Sequence, residues 1–176
     1  MLPPVGEQVM VDDGELRSLV LAWYQRARVA QLAHALAASR SRRLQLYLGA
    51  PAAVLSATVG ASVLADVTGA WRVATGVLSL LAAVLIALQT FLRPDDRVRE
   101  HEAASRSHGA IRRELGQLGA FRGGLRDEVD RRLNSIRASY DRASGSSPNV
   151  PDRIWARVHA SAEAYKPTEF YPRRDS

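Results

Sequence analysis

The chain has 176 residues, carries 24 Lys and Arg against 18 Asp and Glu, and contains no cysteine. The absence of cysteine excludes disulfide frameworks, thiol catalysis and cysteine-ligated zinc or iron–sulfur centres. The mean hydropathy of −0.15 is typical of a water-soluble protein. That mean conceals a segregation, because no charged residue falls within residues 44–65 or 73–92.

The first part of the chain predicts one long helix over residues 13–65. Asp12 and Glu15 have the spacing of a capping box at a helix start. Residues then recur in steps of three and four, as on one face of a helix: Leu16, Val20, Trp23, Ala27, Ala30, His34, Ala37, Ser41 and Leu44. We expect residues 1–11 to be loose, residues 13–43 to be cytoplasmic, and Pro51 to be tolerated with at most a kink.

The two charge-free stretches predict a helical hairpin in a membrane. At about 1.5 Å per residue, residues 44–65 and 73–92 would form helices roughly 33 Å and 30 Å long, which matches the bilayer core. The alternative is a buried hairpin of a soluble protein, but core helices of that length normally carry charge on a wet edge. Residues 66–72 form the predicted turn, with Gly69 available for an unusual backbone angle and Trp71 suited to the interface.

The distribution of arginine predicts the orientation of this hairpin. Arginines occur on both outer flanks, at Arg26, Arg28, Arg40, Arg42 and Arg43 before it and at Arg93, Arg97, Arg99, Arg106 and Arg112 after it. The turn contains only Arg72. The positive-inside rule therefore places both termini in the cytoplasm and the turn outside. No signal peptide is expected, because Met1–Val11 lacks a basic segment followed by an apolar one.

Three further helices are predicted, over residues 95–118, 122–143 and 151–164. Pro94 would clash with the carbonyl of Thr90, so the chain is expected to bend or restart there. Gly123-Gly124 and Ala143–Val150 are expected breaks, Pro151 suits a first helical turn, and residues 166–176 are expected to be loose. The apolar series of these helices are His101, Ala104, His108, Ile111, Leu115 and Leu118; Leu125, Val129, Leu133, Ile136 and Tyr140; and Ile154, Trp155 and Val158.

The predicted fold class is therefore an all-α membrane protein. A two-helix transmembrane hairpin continues into a cytoplasmic helical bundle, with two further cytoplasmic helices, as one domain over residues 12–162. Small residues recur every four positions in both stretches, a pattern that lets membrane helices approach closely: Gly49, Ala53, Ala57, Ala61 and Ala65, then Thr75, Ser79, Ala83 and Ala87. Whether these rows pack within the hairpin or against neighbouring molecules stays open. It also stays open that the spacing arises only because alanine is common in these stretches.

Two sets of polar residues are candidates for function. Thr58, Ser62 and Asp66 form a row that would line a water path in an oligomer, although bonding of the hydroxyls to their own helix backbone is the favoured alternative. Trp23, His34, His101 and His108 lie on the cytoplasmic apolar series. His34 and His101 are each about 15 Å from the membrane along their helices. A hydrogen bond between helices is favoured over pH sensing or a shared metal, because no carboxylate accompanies them.

No motif of an enzyme is present: there is no hydrolase elbow, phosphate loop or dinucleotide fingerprint. We therefore expect no catalytic residues, no metal and no cofactor. The arginines alternate with acids and lack interleaved aromatics, so nucleic-acid binding is not expected. Topology and anionic lipid headgroups explain clusters such as Arg40, Arg42 and Arg43.

Three segments together resemble the SLATT family, the SMODS and SLOG-associating two-transmembrane effector domains. They are AWYQRARVAQLAHALAASRSRRL, which contains Trp23 and His34, then YLGAPAAVLSATVGAS from Tyr47 to Ser62, and LQTFLRPDDRVREHEAASRSHGAIRREL from Leu88 to Leu115. The later Ser147–Pro151 (SPNVP) fits the family's short terminal helix after a proline-bounded linker. The pair Arg93-Pro94 departs from the smoother helix exit of the family.

The resemblance implies a membrane effector of bacterial anti-phage conflict systems, which perforates or depolarises the inner membrane once infection is sensed. It implies a homo-oligomer in the lipid bilayer. It also implies a partner such as a nucleotidyltransferase, a SLOG-type nucleotide sensor or a reverse transcriptase. The alternative is a non-conducting membrane anchor or adaptor for a partner enzyme or sensor.

Overall fold

The structure, a computed structural model, describes residues 13–65, 68–120 and 126–162. These residues form five helices and contain no strand, which confirms the all-helical fold class. The helices are α1 (Asp13–Leu64), α2 (Ala70–Leu92), α3 (Pro94–Ala120), α4 (Arg126–Ser146) and α5 (Asp152–Ala162). The Asp12 cap, the Asp66 end of the polar row, the Gly123-Gly124 break, Leu125 and the two loose ends lie outside the described residues.

Helix α1 is continuous from Asp13 to Leu64 and includes Pro51. A proline inside a helix removes one backbone hydrogen bond and crowds the preceding turn. The turns on both sides of Pro51 are nevertheless helical. The prediction of one helix spanning the first part of the chain is confirmed, with its end one residue earlier than expected.

The chain restarts at a single residue between α2 and α3, as Pro94 predicts. Arg93 has a left-handed backbone with φ 45°, and its N–H donates to the carbonyl of Gln89 at 3.1 Å. Asp95 and Asp96 follow in the first turn of α3, where carboxylates favour the positive end of the helix dipole. Arg93 also forms a 2.6 Å ion pair with Asp96. The break therefore has local stabilising contacts on both sides.

Three predicted boundaries need correction. Helix α2 begins at Ala70, so Ala70–Arg72 are helical and not part of the turn, while Gly69 adopts the positive φ of 64° that glycine allows. Helix α4 continues through Ser146, which shortens the expected linker at its start. Helix α5 begins at Asp152, not at Pro151.

Local hydrogen bonds explain the two boundaries near the linker. The hydroxyls of Ser146 and Ser147 donate to the carbonyls of Arg142 and Ala143 at 2.9 and 2.6 Å, which extends the last turn of α4. The carbonyl of Pro151 accepts from the N–H of Ile154 at 2.8 Å. Pro151 thus precedes α5 as its cap, a position at which its missing N–H costs nothing.

The chain divides into two compact units. The bundle unit comprises the described residues of Met1–His34 and Ala104–Ser176, and the hairpin unit comprises those of Ala35–Ala103. The bundle unit therefore contains the start of α1, most of α3, and helices α4 and α5. The hairpin unit contains the remainder of α1, all of α2 and the start of α3.

The bundle unit has an apolar core contributed by three helices. Tyr24 and Leu115 are its largest fully buried side chains. The core also contains Val20, Ala27, Ile111, Leu133, Ile136 and Ala143, with Leu16, Leu21, Trp23, Leu118, Val129 and Tyr140 packed against them. Gly116 lies beside Tyr24, since a Cβ on this glycine would stand 3.4 Å from the tyrosine Cε2. A Cβ at that distance would be in van der Waals contact with the ring, so α1 and α3 pack closely there.

Candidate functional site

The hairpin unit presents an apolar surface to its surroundings. Both helices are long and apolar enough to cross a membrane, and only 6% of the most apolar window of each is buried inside the chain. The large exposed residues are Val54, Val63, Leu64, Val73, Val77, Leu80, Leu81, Val84, Ile86, Leu88 and Phe91. Exposure of that much apolar surface to water is unfavourable by about 25 cal/mol per Å². The core helix of a soluble protein is mostly buried, whereas these two windows are mostly exposed.

The least exposed positions of the two helices recur in steps of three and four. In α1 they are Gln45, Leu48, Gly49, Ala52, Leu55, Val59 and Ser62, and in α2 they are Thr75, Leu78, Ala82, Leu85, Gln89 and Leu92. Within these stretches only Ala52 and Ala82 are fully buried. A Cβ on Gly49 would lie 3.3 Å from the amide nitrogen of Gln89, so the two helices meet closely at that glycine. We call these positions the hairpin contact face.

The predicted small-residue rows lie mostly outside this contact face. Gly49 and Thr75 belong to the face, whereas Ala53, Ala57, Ala61, Ala65, Ser79, Ala83 and Ala87 are exposed. Successive helical residues are rotated by about 100°. Ala57 therefore lies roughly opposite the middle of the contact face of α1. The rows leave small side chains, rather than large ones, on an outer surface of the hairpin.

The predicted polar row is satisfied within its own helix. The hydroxyl of Thr58 donates to the carbonyl of Val54 at 2.9 Å, and that of Ser62 donates to Val59 at 2.8 Å. Thr58 is exposed, whereas Ser62 is half-buried on the contact face. This is the favoured alternative for these hydroxyls, since backbone bonding satisfies them without water or a partner.

Polar contacts join α1 and α3 at the base of the hairpin. The amide of Gln45 donates to Asp95 at 2.9 Å, and Arg42 forms a charged hydrogen bond with Glu102. The two pairs are 50 and 60 residues apart in sequence, so no local spacing rule identifies them. They fix the two helices at the point where the apolar surface gives way to charge.

His34 and His108 stack face to face in the bundle unit. Their ring centroids are 5.6 Å apart with an interplanar angle of 7°, and both residues are buried. The ring of Tyr140 meets His108 edge-on at 5.7 Å. The Ser147 hydroxyl lies 3.4 Å from His108 Nε2, while His108 Nδ1 has no hydrogen bond among the described residues. Burial lowers the pKa of His108, which keeps the imidazole neutral.

His101 belongs to the hairpin unit, and burial also lowers its pKa. The charge of Glu100 opposes that shift, and the charge of Arg97 adds to it. The sequence suggested His34 and His101 as a pair, which stays a prediction; the structure shows a stack of His34 on His108, which the sequence did not suggest. No group of three or more His, Cys, Asp or Glu able to hold a metal occurs among the described residues.

Sequence reasoning missed two residues of the interface between α1 and α3. Tyr24 is almost fully buried, whereas the predicted Trp23 is only half-buried beside the core. The side chain of Gln31 lies against Gly109, where a Cβ would stand 3.0 Å from its Nε2. Tyr24 and Gln31 are seven residues apart on α1, and Gly109 and Gly116 are seven residues apart on α3. A search for glycines at heptad spacing would have indicated the α3 side of this interface.

Comparisons with known proteins add no relative, since no family model, no curated protein and no solved structure matches the chain. The membrane interpretation thus depends on the two apolar helices and their exposed surface. The resemblance to SLATT effectors stays a prediction from the sequence segments.

Proposed function

We propose that this protein is a two-span effector of the bacterial inner membrane, which oligomerises and permeabilises or depolarises that membrane when a partner or signal triggers it. The observation that carries the proposal is the exposed apolar surface of a hairpin whose helices are each long enough to cross a bilayer. The partner class follows the SLATT resemblance: a nucleotidyltransferase, a SLOG-type sensor or a reverse transcriptase.

Permeabilisation by this chain requires several copies. Two helices cannot enclose a water-filled path, because every polar group in lipid must be satisfied internally. Association in lipid is favoured by small residues that allow close backbone approach. Ala57 and Ala61 supply such a surface, since both are exposed and lie away from the hairpin contact face. These residues are the proposed contact between copies.

The orientation proposed from arginine places both termini in the cytoplasm. The bundle unit would then lie inside the cell, where a signal reaches it. Rearrangement of such a helical bundle is a known class of switching transition. Changes in its core, such as Trp23→Ala or His34→Leu, are expected to alter the threshold for permeabilisation. Unchanged toxicity with normal expression of both variants would contradict a gate in the bundle.

The second candidate function is a non-conducting membrane anchor that scaffolds a sensor or enzyme. The same exposed hairpin supports it, because anchoring needs apolar length and no oligomer. The two candidates differ in what the small-residue row does. A pore depends on close packing at Ala57 and Ala61, whereas an anchor does not.

The experiment is induced expression in a bacterial host with a voltage-sensitive dye. The test variant is Ala57→Ile/Ala61→Ile, which fills the small-residue row. The control is Ser56→Ile/Val63→Ile, which adds bulk at exposed positions of the same helix outside the row. All three proteins are compared at equal abundance in the membrane fraction.

The proposal expects rapid depolarisation by the wild type and the control, and none by the row variant. Depolarisation by all three would contradict packing through Ala57 and Ala61. If none of the three depolarises the membrane, even when neighbouring genes are co-expressed, the anchor is the better description.

A further inference from the structure

An open cavity of about 420 Å³ lies in the bundle unit between α1, α4 and α5. This volume is within the range of small-molecule sites, about 300–1,000 Å³. Its walls include Arg26 and Arg28 from α1, Tyr140 from α4, and Trp155 and His159 from α5. All of its lining residues belong to the bundle unit, and neither His34 nor His108 is among them.

Positive charge converges on one wall of this cavity. Arg26 and Arg28 both line it, and no Asp or Glu is among its lining residues in the part of the chain that the structure describes. Arg28 is half-buried and Arg26 is exposed. A guanidinium offers planar paired donors that match phosphate or carboxylate oxygens. This wall therefore suits an anion.

Aromatic rings of α5 also line the cavity. The rings of Trp155 and His159 are 6.1 Å apart with an interplanar angle of 35°. Helix α5 packs through Ile154 and Val158, which are buried. Trp155 and His159 thus lie beside the packed face of α5, and Trp155 is only half-buried. An indole held at the edge of a cavity offers a flat apolar surface on which a planar ring stacks.

A smaller cavity of about 170 Å³ shares part of its lining with the first. Arg26 and Tyr140 line both cavities. Arg137 and Asp141 are among the other residues that line the smaller one. The carboxylate of Asp141 offsets part of the positive charge there, so an anion is favoured in the larger cavity, which no described Asp or Glu lines.

We propose that the larger cavity binds a small organic anion that carries a planar ring, with a nucleoside monophosphate as the simplest soluble example. The phosphate binds to Arg26 and Arg28, and the base stacks on Trp155. Binding itself is independent of what the hairpin does. Its use as a trigger for permeabilisation rests on the proposed function.

The test is calorimetric titration of the purified full chain in detergent with AMP, adenosine and inorganic phosphate. Adenosine retains the ring without the charge, and phosphate retains the charge without the ring. The variants are Arg26→Gln and Trp155→Leu, and the matched control is Arg153→Gln, an exposed arginine of α5 outside the cavity. Circular dichroism verifies that every variant keeps its helical content.

The proposal expects AMP to bind more tightly than either fragment. Because a charge-assisted hydrogen bond and a stacked base each contribute on the order of 1–3 kcal/mol, each variant should weaken AMP binding about tenfold or more. The control should bind as the wild type does. Lack of binding at about 1 mM AMP would overturn the site. Equal binding of AMP and phosphate, or no effect of Trp155→Leu, would overturn recognition of the ring.

A second measurement separates this site from the proposed function. Ion flux from liposomes that contain the protein is recorded with and without AMP, for the wild type and for Arg26→Gln. A change in flux with AMP in the wild type alone supports the cavity as a trigger. Binding of AMP without any change in flux overturns the trigger and leaves the binding site. Absence of flux under both conditions, with AMP still bound, counts against the effector function alone.

Discussion

The two units of the chain share one helical spacing but bury different residues with it. In the bundle unit, steps of three and four residues bring large side chains such as Tyr24 and Leu115 inward. In the hairpin unit, the same steps place the small Ala52 and Ala82 at the contact, while residues such as Leu80 and Phe91 face outward. Spacing determines which positions of two helices meet. The surrounding solvent determines whether large apolar residues occupy those positions or avoid them.

The largest expected difference between the units concerns leucine truncation. Leu115→Ala removes a side chain with no exposed area from the bundle core, which should lower the free energy of unfolding by about 2–5 kcal/mol. Leu81→Ala removes the same atoms from a half-exposed position of α2 and should cost far less. Chemical unfolding in detergent, followed by circular dichroism, compares the two variants. Equal losses would contradict the assignment of the core to the bundle unit.

A charge introduced at an exposed position should also affect the two units differently. Leu80→Arg places a cation near the middle of α2, where insertion into a bilayer becomes less favourable by about 2.5–3.5 kcal/mol. Leu19→Arg places it at an exposed position of the bundle unit and should change stability by less than about 0.5 kcal/mol. Alkaline extraction of membranes measures how much of each protein stays inserted. If Leu80→Arg is retained as well as Leu19→Arg, α2 does not face lipid.

Acidification should destabilise the protein through its buried histidines. Burial lowers the pKa of His101 and His108 below 6.5, so the unfolded chain binds more protons than the folded one as the pH falls below 6.5. Their stabilising contribution is full above that pH and is lost as the pH falls through the folded pKa. The slope reaches at most about 1.4 kcal/mol per pH unit for each proton taken up.

Thermal unfolding between pH 7.5 and pH 5 checks this prediction. His108→Gln should flatten the dependence of the unfolding temperature on pH, because it removes one of the titrating groups. His159→Gln is the control, since His159 is exposed. The same pH dependence in His108→Gln and the wild type would contradict the contribution of His108 to acid destabilisation.

The sequence predicted best those features of the fold that depend on a short stretch of residues. Charge-free length predicted the two long apolar helices, and Pro94 predicted the restart that Arg93 provides with its left-handed backbone. Periodicity placed His34 and His108 on apolar series but could not pair them, because pairing depends on how α1 and α3 are aligned. Alignment depends on close contacts such as Gln31 with Gly109. The heptad spacing of Gly109 and Gly116 marks the α3 side of such contacts, but no local pattern identifies the residues of α1 that they meet.

The small-residue rows show a second limit of periodicity. Steps of four residues predicted faces at Ala53 and Ala83, but the buried positions of the two helices are one residue earlier, at Ala52 and Ala82. A helix of many alanines offers several small faces, and the sequence alone does not rank them. The cavity between α1, α4 and α5 was missed for a similar reason, since its walls come from three separate helices.

The smallest expected effect is at the base of the hairpin. The side chains of Arg42 and Glu102 are 67% and 36% exposed, and exposed ion pairs contribute about 0.2–1 kcal/mol. Arg42→Gln should therefore lower the free energy of unfolding by less than about 1 kcal/mol, and the loss should vanish in 1 M salt, where the Debye length is about 3 Å. Arg40→Gln, at an exposed neighbour, is the control.

A loss that exceeds about 2 kcal/mol and persists at high salt is expected only of a charge pair removed from water. That outcome would mean that lipid headgroups or a second copy cover the base of the hairpin, and the contrast between a wet bundle and an apolar hairpin would then begin below the predicted membrane boundary.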